Sequence, residues 1–129
     1  MTKSDEQRWE QAVDRLVRLT ESGRLDWQAI TLPTRPLMAR FIGAQFVAEV
    51  AGRRVAVYEK AYSIDHGEFG IAMDSQVMIE FIDDHGDSLW VWPVEGFKRS
   101  ELLDAIRDRK VDGERFLEDL RRSEELLET

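Results

Sequence analysis

Apolar and polar positions recur along the chain with two different periods, and the change of period divides it into helix, strands and helix. In the first stretch Trp9, Ala12, Val13, Leu16, Val17 and Thr20 recur at three- and four-residue spacing, which puts them on one face of a helix over about residues 5–22. Ser4 followed by Gln7 has capping-box spacing, and Gly23 suits the left-handed position just past a helix end. Leu25, Asp26 and Trp27 read as a short extended continuation. Pro33 and Pro36 then mark an irregular crossing to about Arg40.

From there the period drops to two. Phe46, Ala48 and Val50 share one face of a strand, Val55 and Val57 the matching face of the next, and Ala51-Gly52 is the turn between them. A two-residue loop sets the register: Val50 opposite Arg53, Ala48 opposite Val55, Phe46 opposite Val57, with Glu49 and Arg54 as a cross-strand ion pair on the other face. Ser63 to Ser75 holds two Gly and no clean period, and it reads as a long connection. Gln76 to Ile82 and Ser88 to Trp92 form a second strand pair around the turn Asp83-Asp84-His85-Gly86-Asp87.

Pro93 closes the last strand. Ser100 is a candidate N-cap for a helix burying Leu102, Leu103 and Ile106. Val111-Asp112-Gly113 breaks the path, Asp112 can cap, and Phe116, Leu117, Leu120 and Leu127 draw a second apolar stripe among dense Arg and Glu. The predicted class is α+β in a single domain over residues 1–129: an N-terminal helix, a four-stranded and mostly antiparallel meander, and two C-terminal helices packed on one face.

The run Leu19-Thr20-Glu21-Ser22-Gly23-Arg24-Leu25-Asp26-Trp27, an L-T-x-x-G-x-L-x-W pattern that ends an amphipathic helix ahead of strands, resembles small uncharacterised bacterial α+β domains. The resemblance implies the same fold and brings with it no activity and no catalytic residue.

Composition then narrows the chemistry. The 129 residues contain no Cys, which excludes a disulfide framework, a thiolate nucleophile and sulfur-ligated metal centres. The N-terminal ten residues are polar with mixed charge, no run approaches the roughly 18 apolar residues of a spanning helix, and cytoplasmic residence without a membrane partner is the expectation. Net charge is −8, from 26 acidic and 18 basic residues. Between residues 25 and 97, five cations (Arg35, Arg40, Arg53, Arg54, Lys60) face eleven Asp or Glu, a balance that argues against nucleic acid as a partner.

Both histidines sit in matching contexts, Asp65-His66-Gly67-Glu68 and Asp84-His85-Gly86-Asp87. Imidazole with carboxylates from two loops is a set that holds a divalent ion or runs acid–base chemistry, so Asp65, His66, Glu68, Asp84, His85 and Asp87 are the candidates for a ligand or metal. The same residue types are also what a tight turn selects, because short polar side chains bond the local backbone and Gly accepts positive φ. The turn reading takes precedence, and no catalytic residue, metal or cofactor is assigned. Tyr58, Tyr62, Met78, Trp90 and Trp92 are candidates for an apolar interaction face on the strands, against the plainer alternative of core. The resulting expectation is a non-catalytic protein-binding or regulatory domain acting as a homodimer. The alternatives are a small metal- or ligand-binding enzyme built on the His66 and His85 loops, and a regulator whose acidic middle meets a cationic protein.

Only four of the cations are lysines (Lys3, Lys60, Lys98, Lys110), a bias that either a high-salt cytoplasm or Arg-rich codon usage produces. Melting curves in rising KCl separate the two. Salt adaptation is expected to raise Tm with KCl, and a flat or falling Tm removes it.

Overall fold

In the computed structural model, residues 3–32, 39–65 and 67–128 are described. The stripe beginning at Trp9 forms helix α1 (Lys3–Glu21). Its end is a Schellman closure: the Arg24 amide donates to the Leu19 carbonyl (2.9 Å), the Gly23 amide to that of Thr20 (3.0 Å), and Gly23 sits at φ 74°. A Cβ at Gly23 would also run into the Arg109 guanidinium. The helix starts earlier than its sequence signals indicate, so Ser4 lies inside the first turn instead of capping it.

Five strands follow, β1 (Gln28–Ile30), β2 (Ala39–Val50), β3 (Arg53–Asp65), β4 (Ile71–Ile82) and β5 (Ser88–Val91), all antiparallel and lying in the sheet in chain order. The β2–β3 register is the one the alternation predicts: Val50↔Arg53, Glu49↔Arg54, Ala48↔Val55 and Phe46↔Val57. Ala51 and Gly52 both have positive φ (51° and 76°), which gives the loop the twist that two-residue hairpins favour. Arg54 does not use Glu49 as its partner. It reaches across to the β4–β5 turn, where Nη1 donates to the carbonyls of Asp83 (3.5 Å) and Asp84 (3.3 Å).

Two expectations are corrected here. The sheet has five strands, not four, because Gln28–Ile30 pairs along β2; an edge strand of three residues leaves too short a record of alternation to read. The stretch Ser63 to Ser75 is not a long loop. Ser63↔Met73 and Asp65↔Ile71 continue the β3–β4 ladder, and a single 3₁₀ turn at Gly67–Phe69 closes it. Sequence period reports burial, and Ser63, Ile71, Asp74 and Ser75 at this end of the hairpin are exposed, so nothing imposes a period there.

The sheet has an apolar core on each face. One face carries Phe46, Ala48, Val55, Val57, Val77 and Ile79, packed beneath Val13 and Leu16 of α1 and Leu102, Leu103 and Ile106 of helix α2 (Phe97–Val111). The other carries Val47, Ala56, Tyr58, Met78 and Ile82, joined by Leu32 and flanked by Ile30 and Phe41. Glu80 is fully buried and accepts hydrogen bonds from Tyr58 Oη (3.0 Å) and Ser88 Oγ (3.3 Å). α2 begins one turn before Ser100, at Gly96, and is tied to α1 by Lys98 Nζ on Asp14 Oδ1 (2.8 Å) and to β3 by Arg107 on Glu59 (3.2 Å). Asp112 stops α2 in the left-handed conformation (φ 45°), and its Oδ1 accepts the Arg115 amide (3.3 Å) at the start of helix α3 (Gly113–Glu128). The two C-terminal helices thus form one bent rod, and among the described residues it is α2 that buries side chains against the sheet.

Thr20 joins the end of α1 to the chain that leads into the sheet. Its buried hydroxyl donates to the Leu16 carbonyl (2.7 Å) and accepts from Trp27 Nε1 (2.9 Å), while the Trp27 ring fills the first core. Thr20→Val keeps the shape and orphans a buried indole N–H, at an expected cost of about 1–3 kcal/mol in urea unfolding. A loss below a few tenths of a kcal/mol would mean that this hydrogen bond does not fasten Trp27. Ile79→Ala, in the fully buried centre of β4, is expected to cost about 2–5 kcal/mol in the same assay.

Candidate functional site

The described parts of the two Asp-His-Gly motifs lie at opposite ends of β4. Asp65, Gly67 and Glu68 are at the β3–β4 end and Asp84 to Asp87 in the β4–β5 turn, and the twelve residues of β4 between them span roughly 36 Å at about 3.3 Å per residue. Among the described residues, Glu68 at one end and Asp84, His85 and Asp87 at the other are therefore not brought into a single site. Asp65 ends β3, Glu68 is exposed in the 3₁₀ turn, and His66 lies outside the described residues. Among the described residues no cluster of three or more His, Asp or Glu has the arrangement of a metal site.

The second turn shows what its residues are for. Asp83 Oδ1 accepts the amides of His85 and Asp87, each at 2.9 Å, and the Asp83 amide donates to the Asp87 carbonyl (2.9 Å). Gly86 takes the left-handed position, φ 84°. Asp84, His85 and Asp87 are exposed around this Asx-type closure. The backbone hydrogen bond from Asp87 is the main cause that holds the Asp83 carboxyl below the ordinary aspartate value, helped by the His85 amide and imidazole and opposed by partial desolvation.

The five aromatic and Met candidates separate by face. Tyr58 and Met78 are buried in the second core, where Tyr58 meets Phe41 edge-on at 5.2 Å. Tyr62 is half-buried, and its hydroxyl donates to Asp74 Oδ2 (3.3 Å). Burial is the first cause that raises the Tyr62 phenol, with the Asp74 charge second. Trp92 is buried in the first core. These four are core or hairpin residues, so the apolar face the alternation suggested is largely covered by the chain itself. Trp90 is the exception, at 43% exposure.

Around Trp90 the fold assembles a surface that sequence reading missed. Trp9 from α1 packs against Trp90 and Trp92 with ring centroids 4.9 Å apart in both pairs, and Phe81 stacks on Trp90 at 6.0 Å. Arg53 lies over Phe81, its guanidinium carbon 5.4 Å from the ring centre. Trp9, Arg53, Arg54, Phe81, Leu89 and Trp90 line a groove of about 650 Å³ beside the edge strand β5. Trp9 belonged to a helix stripe in the sequence and Trp90 to a strand eighty-one residues on. No local period links them; only the antiparallel pairing Phe81↔Trp90, with α1 laid across it, brings them together.

The second surface is α3. From Arg115 to Leu126 every side chain is exposed, including Phe116 at 61%, Leu117 at 64% and Leu120 at 48%. Spacings of one, three and four put these three on one stripe. Arg121 and Arg122 pair along the helix with Glu118, at 2.9 and 3.9 Å. Among the described residues no helix is long and apolar enough to cross a membrane.

Comparison of the chain with family models, with curated proteins and with solved structures finds no match in any of the three.

The Asp83 closure has a pH signature. Its carboxyl is depressed in the folded chain, so its contribution is complete above the ordinary value of 3.8 and is lost as pH falls through the lower folded value. Asp83→Ala is expected to lower Tm at pH 7, with the gap to the parent narrowing below about pH 3.8. A gap that stays constant from pH 7 to pH 2 would show that the charged carboxylate is not what closes the turn.

Proposed function

We propose that the protein is a non-catalytic binding domain that pairs with a second copy of itself through α3. The observation that carries this reading is the exposed stripe Phe116, Leu117 and Leu120 on a helix whose side chains from Arg115 to Leu126 are all exposed. A helix of this length draws most of its stability from tertiary packing, and the described residues of α3 bury no side chain against the sheet. Three large apolar side chains in register form a contiguous patch, the kind of surface that marks an interface.

A second copy fits this stripe better than an arbitrary partner. α3 carries both signs around the stripe, with Arg115, Arg121 and Arg122 beside Glu118, Asp119, Glu124 and Glu125, so an identical helix supplies a carboxylate for each of the three arginines. An isologous contact about a two-fold axis is also the commonest arrangement among homo-oligomers. The remaining chemistry supports binding over catalysis: the His85 turn has a structural use, and its partner motif lies at the far end of β4.

Light scattering tests the pairing. From micromolar to millimolar concentration the mass is expected to rise from one chain to two, and Leu117→Asp with Leu120→Asp is expected to stay at one chain with the Tm of the α/β body unchanged. A parent protein that remains at one chain mass across this range overturns the proposal. So does a double variant that dimerises like the parent.

A further inference from the structure

Where the link after β5 enters α2, three kinds of hydrogen-bond donor lack an acceptor around one cleft. Trp92 is only 5% exposed, and its Nε1–H has no partner among the described residues. Arg99 has a buried Nε–H that is likewise without a partner among them. α2 opens at Gly96, whose φ of 73° and ψ of −147° turn the chain into the helix, and no side chain accepts its first-turn amides. Trp92, Gly96 and Arg99 all line a cleft of about 640 Å³, together with Gln76 of β4, Glu6 and Glu10 of α1, and Glu95. Buried donors are almost always satisfied in folded proteins, so a buried indole N–H and a buried guanidinium N–H without partners, on two residues that line one cleft, point to a missing acceptor.

The rest of the lining says what kind of acceptor. Three carboxylates stand against the one guanidinium of Arg99. A simple anion would answer the donors of Trp92, Arg99 and the α2 terminus and be repelled by Glu6, Glu10 and Glu95. A simple cation would answer the carboxylates and leave the donors open. A molecule bearing a carboxylate and an ammonium satisfies both sets. We infer that this cleft binds a small zwitterion of the α-amino acid class, its carboxylate facing Trp92 Nε1, Arg99 and the start of α2, and its ammonium facing the Glu6, Glu10 and Glu95 carboxylates. The site is separate from α3 and does not depend on self-association.

The indole N–H of Trp92 reports on this directly. In the ¹⁵N-labelled full chain, with the four indole resonances assigned through Trp92→Phe, glycine, L-alanine and L-glutamine are titrated at constant ionic strength beside sodium acetate and methylammonium chloride. Saturable movement of the Trp92 resonance is expected with the amino acids, and binding at least about tenfold weaker with acetate or methylammonium alone. Arg99→Met is expected to weaken glycine about tenfold, the scale of one hydrogen bond to a charged group. Glu10→Gln is expected to weaken glycine and methylammonium and to leave acetate no weaker, which gives a second variant on a different helix should Arg99→Met fail to fold. An unmoved Trp92 indole with all three amino acids overturns the assignment and means that water alone serves the donors. Acetate binding as tightly as glycine, or folded variants that bind glycine as the parent does, also overturn it.

Discussion

Strand β3 is buried on both sides, and most of the architecture follows from that constraint. Val55 and Val57 face one way and Ala56 and Tyr58 the other, and none of the four is more than 3% exposed. A strand in this position has two apolar faces to cover, so it needs a neighbour on each edge and a layer above and below. β2 and β4 supply the edges. α1 and α2 supply one layer, and the other begins with Leu32, whose amide donates to Gln45 Oε1 (3.1 Å) as the chain leaves β1. Glu80 is the polar member of this second layer, held by Tyr58 and Ser88, which fixes how β5 meets β4 next to the bulge after Phe81.

What was legible in the sequence is what the cores demand. The α1 stripe, the 46–57 register and the buried trio of α2 are all positions where a side chain has one permitted direction, and there the pattern and the structure coincide. The outer half of the β3–β4 hairpin was illegible for the complementary reason: its pairing is made by backbone amides and carbonyls, which leave no residue-type signature. The same limit displaced the start of α2. Ser100 has the side chain of a cap, yet the helix starts at Gly96, whose backbone makes the turn without a side-chain bond.

The candidate surfaces divide along the same line. The Asp-His-Gly repeat was visible because its letters match, and the structure gives its second copy a local task in the closure at Asp83. The aromatic groove and the cleft beside Trp92 were invisible because each is assembled from α1, the strands and, for the cleft, the entry to α2. Identity at one position says nothing of neighbours brought in from far along the chain. The α3 stripe lies between these cases. Its period was plain, and only the fold could show that the chain leaves it uncovered.

Because the strands lie in the sheet in the order in which they occur in the chain, every ladder joins consecutive segments. No pairing waits for a distant strand, and the loop closed by Ala51-Gly52 is as short as a hairpin allows. Folding of the sheet is thereby a matter of zipping outward from a local nucleus rather than of a search through long loops, which shortens the time during which the apolar faces of β3 and β4 stand open to other chains. The long-range contact is the return of α2 to α1, where Lys98 reaches Asp14 across eighty-four residues.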